Sequence, residues 1–99
     1  MVQINWTNQS LEDLKNIFDY ISNDSKIYAK LQIIKLRNRV KILKSQIYSG
    51  KKVDEFHNEN VRELIEGNYR IIYNIVDLNR VDILLVHHSS RNLSKRKIF

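Results

Sequence analysis

Apolar residues recur at helical spacing in the first half of the chain and alternate with polar residues in the second half. Alternation is also present in residues 2–6, which predicts a short first strand. The helical spacing predicts one helix over about residues 8–22 and a second over about residues 25–48. Residues 48–60 have no period and are expected to form a loop. Alternating runs then predict three strands, over about residues 61–66, 69–76 and 80–88.

This order of elements predicts an α+β fold, β-α-α-β-β-β, in which a helical hairpin packs on a small, mainly antiparallel four-stranded sheet. The last strand is apolar on both faces apart from Asp82, so we expect it to lie in the middle of the sheet. The two-residue break at Gly67 and Asn68 predicts a tight hairpin. With 99 residues, the chain is long enough for a single domain, 1–99, with a modest core.

The predicted second helix is apolar on two separate sides. One side carries Ala29, Ile33, Leu36, Val40, Leu43 and Ile47. The other side carries Ile27, Leu31, Ile34 and Ile42. Two interpretations are open for the second side. In the first, this side packs inside the molecule, which is favoured because monomers rarely expose large apolar patches. In the second, it is covered by a partner.

Positive charge is concentrated in two segments of the chain. The net charge is +6. Residues 1–34 carry a net charge of −1, residues 35–53 carry +7, residues 54–68 carry −4 and residues 69–99 carry +4. Two basic segments of this kind can attract nucleic acid or an acidic protein, although a well-solvated basic surface has the same composition.

Several classes of protein are excluded or disfavoured by composition. The chain has no cysteine, which excludes disulfides and thiolate metal sites and is typical of a reducing cytoplasm. No apolar run approaches the roughly 18 residues that a membrane span needs. The first residues show no signal-peptide pattern. The sequence therefore predicts a cytoplasmic protein that does not associate with membranes.

Arginine interrupts or follows three of the β-prone runs, at Arg62, Arg70 and Arg91. A strand does not need a guanidinium for its fold, so these positions suggest a function. On alternating strands, Arg70 can share an open sheet face with Arg62 or with Glu63 of the neighbouring strand. Arg91 follows directly after the last strand.

Two histidines, His87 and His88, end the last predicted strand and face opposite ways. One of them can join the arginines, and guanidiniums with an imidazole suit RNA cleavage, in which cations stabilise the phosphorane and histidine transfers protons. A structural alternative is equally consistent with the residues, because Arg70 can pair with Glu63 across strands. The histidines have no third ligand nearby in sequence, so we expect no metal site and no cofactor.

Most of the chain resembles toxins of the RelE/ParE superfamily of type II toxin–antitoxin systems, and it is closer to the ParE (plasmid stabilisation) branch. The resemblance is carried by Trp6, Leu11-Glu-Asp-Leu14, Gly50-Lys-Lys-Val-Asp-Glu55, Val61-Arg-Glu-Leu64, Tyr69-Arg-Ile-Ile-Tyr73 and Val86-His-His-Ser-Ser-Arg91. It implies a β-α-α-β-β-β fold and a growth inhibitor that a cognate antitoxin protein neutralises in a hetero-oligomeric complex. ParE-like members typically poison DNA gyrase without a nuclease site. RelE-like members cut mRNA on the ribosome.

The residues that match the superfamily favour the ParE alternative. The two RelE arginines fall on Arg70 and Arg91, and a RelE-like nuclease would use these with His88. The RelE lysines fall near Val61 and Glu63, and the C-terminal tyrosine falls near Lys97, so these other catalytic groups are missing. The resemblance and the charge pattern together predict a target-binding set of Arg62, Arg70, His87, Arg91, Lys95 and Arg96. The predicted antitoxin-binding set is Ile27, Leu31 and Ile34.

Overall fold

The computed structural model describes residues 2–98 and confirms the predicted order of helices and strands, with one short strand added. Thr7 and Ser25 cap the two α-helices, because each hydroxyl oxygen accepts a hydrogen bond from a backbone N–H of the first turn. The elements are β1 (Gln3–Trp6), α1 (Asn8–Ser22), α2 (Lys26–Arg39), β2 (Lys51–Lys52), β3 (Val61–Glu66), β4 (Tyr69–Asp77) and β5 (Arg80–His88), with 3₁₀-helices at Val40–Lys44 and Leu93–Lys95.

The strands form one mixed sheet in the order β1-β5-β4-β3-β2. β1 runs parallel to β5, and the other neighbours are antiparallel. β5 therefore has a neighbour on each side, as its continuous apolar run predicts. The β3–β4 hairpin turns at Gly67 and Asn68, and only Gly67 has a positive φ, of 57°. A positive φ at the first turn residue is the pattern of a type II′ turn, which glycine adopts at little cost.

The structure differs from the sequence prediction at the end of the second helix and in the number of strands. The α-helical part of the second helix ends at Arg39, and a 3₁₀-helix follows instead of the predicted α-helix to residue 48. Val40 and Leu43 are still buried, because a spacing of three places two side chains on the same side of either kind of helix. The sheet has five strands instead of four, since Lys51 and Lys52 pair with Glu63 and Arg62. A charged two-residue edge strand has no hydrophobic pattern to reveal it.

The two helices cover one face of the sheet and enclose the main core. Leu36, Leu43 and Ile71 are fully buried there, and so is Tyr73. The Tyr73 hydroxyl donates to the backbone oxygen of Ile47 (2.8 Å) and accepts from the backbone N–H of Gly50 (3.0 Å). A Cβ atom at Gly50 would lie 2.6 Å from the Tyr73 hydroxyl. The close approach of the chain to this ring therefore requires glycine.

The opposite face of the sheet is not open, contrary to the sequence prediction. A second, smaller core covers it and contains Val53, Val61, Ile72, Leu84, Leu85 and Leu93, with Phe56 and Ile98 packed against it. A register shift between β4 and β5 leaves Leu84 unpaired opposite Ile72 and Tyr73, so that Leu84 and Leu85 both contribute to this core. The chain after β5 supplies Leu93 and Ile98. We call residues 89–98 the C-terminal segment.

Candidate functional site

Arg70 lies between two carboxylates on the face of the sheet opposite the helices. Its guanidinium donates to Glu55 in a two-bond contact (2.7 and 2.9 Å) and also to Glu63, which β3 supplies. The exposed fractions of the Arg70 and Glu63 side chains are 14% and 3%. The cross-strand pair with Glu63 was one of the predicted alternatives. The contact from Glu55, in the loop before β3, was not predicted. We call these three residues the Arg70 cluster.

The Arg70 cluster leaves the guanidinium little capacity to bind a phosphate. The hydrogen bonds from Arg70 hold the pKa of the Glu55 carboxyl at about 2, and the two carboxylates raise the pKa of Arg70 above its already high value. Glu55 and Arg70 are therefore charged at neutral pH. Two carboxylates surround the one guanidinium, so this part of the sheet does not present a free positive charge to an anion.

We predict that Glu55→Gln destabilises the protein near neutral pH and that the difference from wild type disappears in acid. The pKa of Glu55 in the folded protein is about 2, below its ordinary 4.5. Its carboxylate therefore stabilises the fold above pH 4.5, and this contribution is lost as the pH falls through about 2. Denaturant unfolding across this pH range measures the effect. Glu59→Gln is the control, because the Glu59 side chain is 88% exposed. Equal pH dependence in both variants would contradict the prediction.

His87 lies directly opposite Arg70 in the β4–β5 register and is buried. Its Nε2–H donates to the backbone oxygen of Arg91 (3.1 Å), and its Nδ1 accepts from Arg96 (3.4 Å). The second contact requires the neutral ring, because a protonated Nδ1 cannot accept a hydrogen bond. Burial lowers the pKa of His87, and the guanidiniums of Arg96 and Arg70 lower it further. His87 is therefore a neutral, structural contact between β5 and the C-terminal segment, whereas the sequence predicted a target-binding residue.

Asp13 is the residue of this region that the sequence analysis missed. It is buried on α1, and its carboxylate accepts from the backbone N–H of Val86 (2.9 Å) and from Nη2 of Arg96 (2.8 and 3.0 Å). The β1 strand ends opposite Ile83, so the N–H of Val86 has no strand partner on that side. An acidic residue in an early helical turn is common, and nothing in the sequence separates Asp13 from its exposed neighbour Glu12.

His88 points to the other face of the sheet, away from Arg70. Its ring contacts Tyr69 edge-on, with centroids 5.3 Å apart, and its Nδ1 accepts from the backbone N–H (3.2 Å) and the hydroxyl (2.7 Å) of Ser90. The predicted nuclease set of Arg70, Arg91 and His88 is therefore not brought together. Strand alternation separates Arg70 from His88, which is paired with Tyr69.

Arg62 also lies away from the other predicted target-binding residues. It pairs with Tyr73 in the β3–β4 register and so lies on the helical face of the sheet. Its guanidinium donates to the backbone oxygen of Gly50 (3.0 Å) and stacks on the Tyr48 ring, 5.3 Å from its centroid. These contacts hold the loop before β2. Strand alternation alone left open whether Arg62 or Glu63 would join Arg70, and the structure selects Glu63.

A cleft of about 990 Å³ lies between α1 and the C-terminal segment, and it gathers most of the predicted cationic set. Its walls include His87, Arg91, Lys95 and Arg96, together with His88. Arg96 is neutralised by Asp13. Arg91 and Lys95 are exposed, and neither forms an ion pair with a carboxylate of residues 2–98. Tyr20 and Tyr69 add aromatic surface to the same walls. The cleft is therefore a positively charged, partly aromatic surface suited to an acidic partner.

The second apolar side of α2 faces outward, so the interpretation that it packs inside the molecule is wrong. Ile27 is 74% exposed, Leu31 46% and Ile34 45%. The exposed cations Lys30 and Arg37 border these three residues on the helix surface. We call Ile27, Leu31 and Ile34 the outer face of α2. An apolar stripe with a basic margin is typical of a docking surface for an amphipathic acidic segment.

The structure shows neither a metal site nor a membrane span in the part of the chain that it describes. Among residues 2–98, no group of three or more histidine, aspartate or glutamate side chains is placed to hold a metal ion. No helix within this range is long and apolar enough to cross a membrane.

Two solved structures with the same fold come from toxin–antitoxin systems. A chain of the chromosomal ParDE system from P. aeruginosa superposes with a TM-score of 0.73 at 21% identity, covering 89% of this chain and 96% of that chain. A chain of the RelBE2 toxin–antitoxin complex from Mycobacterium tuberculosis superposes with a TM-score of 0.60, also at 21% identity, covering 88% and 96%. At this level of identity the likeness establishes the fold alone.

The sequence itself establishes the family. No curated protein matches the chain significantly. The family model described as ParE toxin of type II toxin-antitoxin system, parDE, matches residues 4–93. This match spans both helices and, apart from Gln3, all five strands. It confirms the resemblance to the RelE/ParE superfamily, and to its ParE branch, that the sequence motifs indicated. The chain therefore belongs to the ParE toxin family of type II toxin–antitoxin systems.

Proposed function

We propose that this toxin arrests growth by binding DNA gyrase through the cleft between α1 and the C-terminal segment. The observation that carries the proposal is the contrast between two sets of cations. Arg70 is neutralised by Glu55 and Glu63, whereas Arg91 and Lys95 line an open cleft. Exposed cations of this kind steer and orient an acidic protein surface. Binding of gyrase requires no nuclease chemistry, and the protein would act in the cytoplasm.

The geometry argues against the alternative of an mRNA endoribonuclease. Such an enzyme needs a guanidinium that is free to stabilise the phosphorane and a proton-transfer group within hydrogen-bond reach of the same phosphate. Arg70 is held by two carboxylates, and His88 lies on the other face of the sheet. His87 shares a face with Arg70 but has both ring nitrogens in structural contacts.

We further propose that a cognate antitoxin neutralises the toxin by covering the outer face of α2. Three apolar side chains are exposed there without a partner in the described chain, and the segment 35–53 beside them carries a charge of +7. The antitoxin segment should therefore be an acidic amphipathic helix with apolar residues at spacings of three and four. The expected assembly is a toxin–antitoxin hetero-oligomer.

The proposed target is tested by a charge reversal in the cleft. The purified wild-type toxin is expected to inhibit gyrase supercoiling, and Arg91→Glu/Lys95→Glu is expected to weaken inhibition by about tenfold or more, because like charges would then face the acidic partner. Lys51→Glu/Lys52→Glu, which reverses two exposed charges on the edge strand β2, is the matched control. Primer extension on mRNA is run in parallel. Cuts within codons together with unimpaired gyrase would overturn the proposal in favour of a nuclease.

A further inference from the structure

We propose that Asp13 is a positioning residue, which holds the C-terminal segment so that Arg91 and Lys95 face the target. Its carboxylate joins α1, β5 and the C-terminal segment at one point, through Gln9 (3.1 Å), Val86 (2.9 Å) and Arg96 (2.8 Å). Asp13 itself need not touch the target. The consequence for binding rests on the function proposed above, whereas the effect on the segment does not.

The contacts of the C-terminal segment show why its conformation depends on Asp13. At its start the Ser89 N–H donates to the backbone oxygen of Asn68, and at its end Ile98 packs against the second core. Three further anchors lie between these two. His87 donates to the backbone oxygen of Arg91, Leu93 is buried in the second core, and Arg96 pairs with Asp13. Lys95 lies between the last two anchors. The loss of the Asp13–Arg96 pair leaves the chain after Leu93 with a single polar contact to the rest of the domain among those described, the 3.4 Å contact between Arg96 and His87.

The pair is well suited to fix a direction as well as a position. One guanidinium nitrogen of Arg96 lies within hydrogen-bond distance of both carboxylate oxygens of Asp13, and Arg96 also donates to His87. The exposed fractions of the two side chains are 25% for Arg96 and 9% for Asp13. A charge-assisted pair shielded in this way is stronger and more directional than one on an open surface.

Asp13→Asn separates the positioning role from the structural one. The amide oxygen of asparagine can still accept from the backbone N–H of Val86, so the edge of β5 stays capped. The negative charge opposite Arg96 is lost. Arg96→Gln removes the same pair from its more exposed side and leaves Asp13 bonded to Val86, so it provides a second variant if the first one folds poorly.

Amide hydrogen exchange on the whole chain is the primary measurement. Both variants are expected to speed exchange at residues 91–97 by about tenfold or more, without a change in the strands β3 and β4, because only a local opening becomes easier. Arg96→Lys, which keeps the charge, should retain most of the protection. Asp19→Asn removes an exposed carboxylate from the same helix and should change nothing. Unchanged exchange at residues 91–97, or faster exchange throughout the sheet, would overturn the positioning role.

Gyrase inhibition is the second measurement. A failure of the proposed function in this assay can be distinguished from a failure of the positioning role in hydrogen exchange. Asp13→Asn and Arg96→Gln are expected to weaken inhibition by about tenfold. Antitoxin binding to the outer face of α2, whose three residues are not among those lining the cleft, should stay within about twofold. If the segment loosens and inhibition is unchanged, the link between positioning and target binding is wrong. If the wild-type toxin does not inhibit gyrase at all, the proposed function fails, and hydrogen exchange alone still decides whether Asp13 positions the segment.

Discussion

Arg70→Ala is expected to lower the free energy of unfolding by about 3–5 kcal/mol, because it leaves the buried carboxylate of Glu63 without its partner. The Glu63 side chain is 3% exposed, so its carboxylate depends on the guanidinium in place of solvation by water. The double variant Glu63→Leu/Arg70→Met removes both buried charges and fills the space with apolar groups. It should recover most of the lost stability, since apolar replacements of buried ion pairs are often neutral or stabilising. Denaturant unfolding of the three proteins measures both effects.

The same double variant also decides whether Arg70 has a chemical role. If Arg70 is structural, Glu63→Leu/Arg70→Met remains toxic on induction, and the growth arrest follows the amount of folded protein. A stable double variant without toxicity would contradict this and would indicate that Arg70 has a chemical role. Arg80, whose exposed guanidinium pairs with Asp82 on the surface, provides the control. Arg80→Ala should cost less than about 1 kcal/mol.

Leu31→Asp is expected to weaken antitoxin binding by about 100-fold or more without reducing toxicity. Leu31 lies at the centre of the outer face of α2 and is 46% exposed in the free toxin. A leucine buried at an interface contributes roughly 1.5–3 kcal/mol, and an aspartate there would in addition be desolvated opposite an acidic partner. Each 1.4 kcal/mol changes affinity about tenfold. Titration of the toxin with its antitoxin measures the affinity.

Leu78→Asp is the matched control for this experiment. Leu78 is an equally apolar residue, 68% exposed, in the turn between β4 and β5, so it undergoes the same chemical change away from α2. Rescue of growth by co-expressed antitoxin should fail for Leu31→Asp and succeed for Leu78→Asp. If the antitoxin neutralises both variants equally well, the outer face of α2 is not where it binds.

Local signals explain why the sequence predicted most helix and strand positions correctly. Thr7 and Ser25 are good helix caps because their oxygens accept backbone hydrogen bonds within three residues. Gly67 can adopt the positive φ of its turn because it has no Cβ atom. The 3₁₀-helix after Arg39 was not predicted. A 3₁₀-helix bonds each residue to the third one along and an α-helix to the fourth, and over one turn this difference leaves the apolar spacing nearly unchanged.

The candidate site was predictable only where residues are adjacent on strands. Alternation correctly placed Arg70 beside Glu63 as one of two options. It could not supply Glu55, which reaches Arg70 from a loop without periodicity. It also could not decide that Arg96 is neutralised while Arg91 and Lys95 are exposed, because that depends on Asp13, 83 residues earlier in the chain.

The sequence by itself determined the order of elements, the mainly antiparallel sheet and, through its motifs, the toxin family. Each of these depends on periodicity, caps and turns, which act over a few residues. Only the tertiary structure decided which cations are available to a partner. Availability depends on which carboxylates the fold brings within hydrogen-bond distance, and in the Arg70 cluster and the Asp13–Arg96 pair the partners come from different elements. The contrast between partly buried, paired arginines and the exposed cations of the cleft is therefore a property of the folded chain.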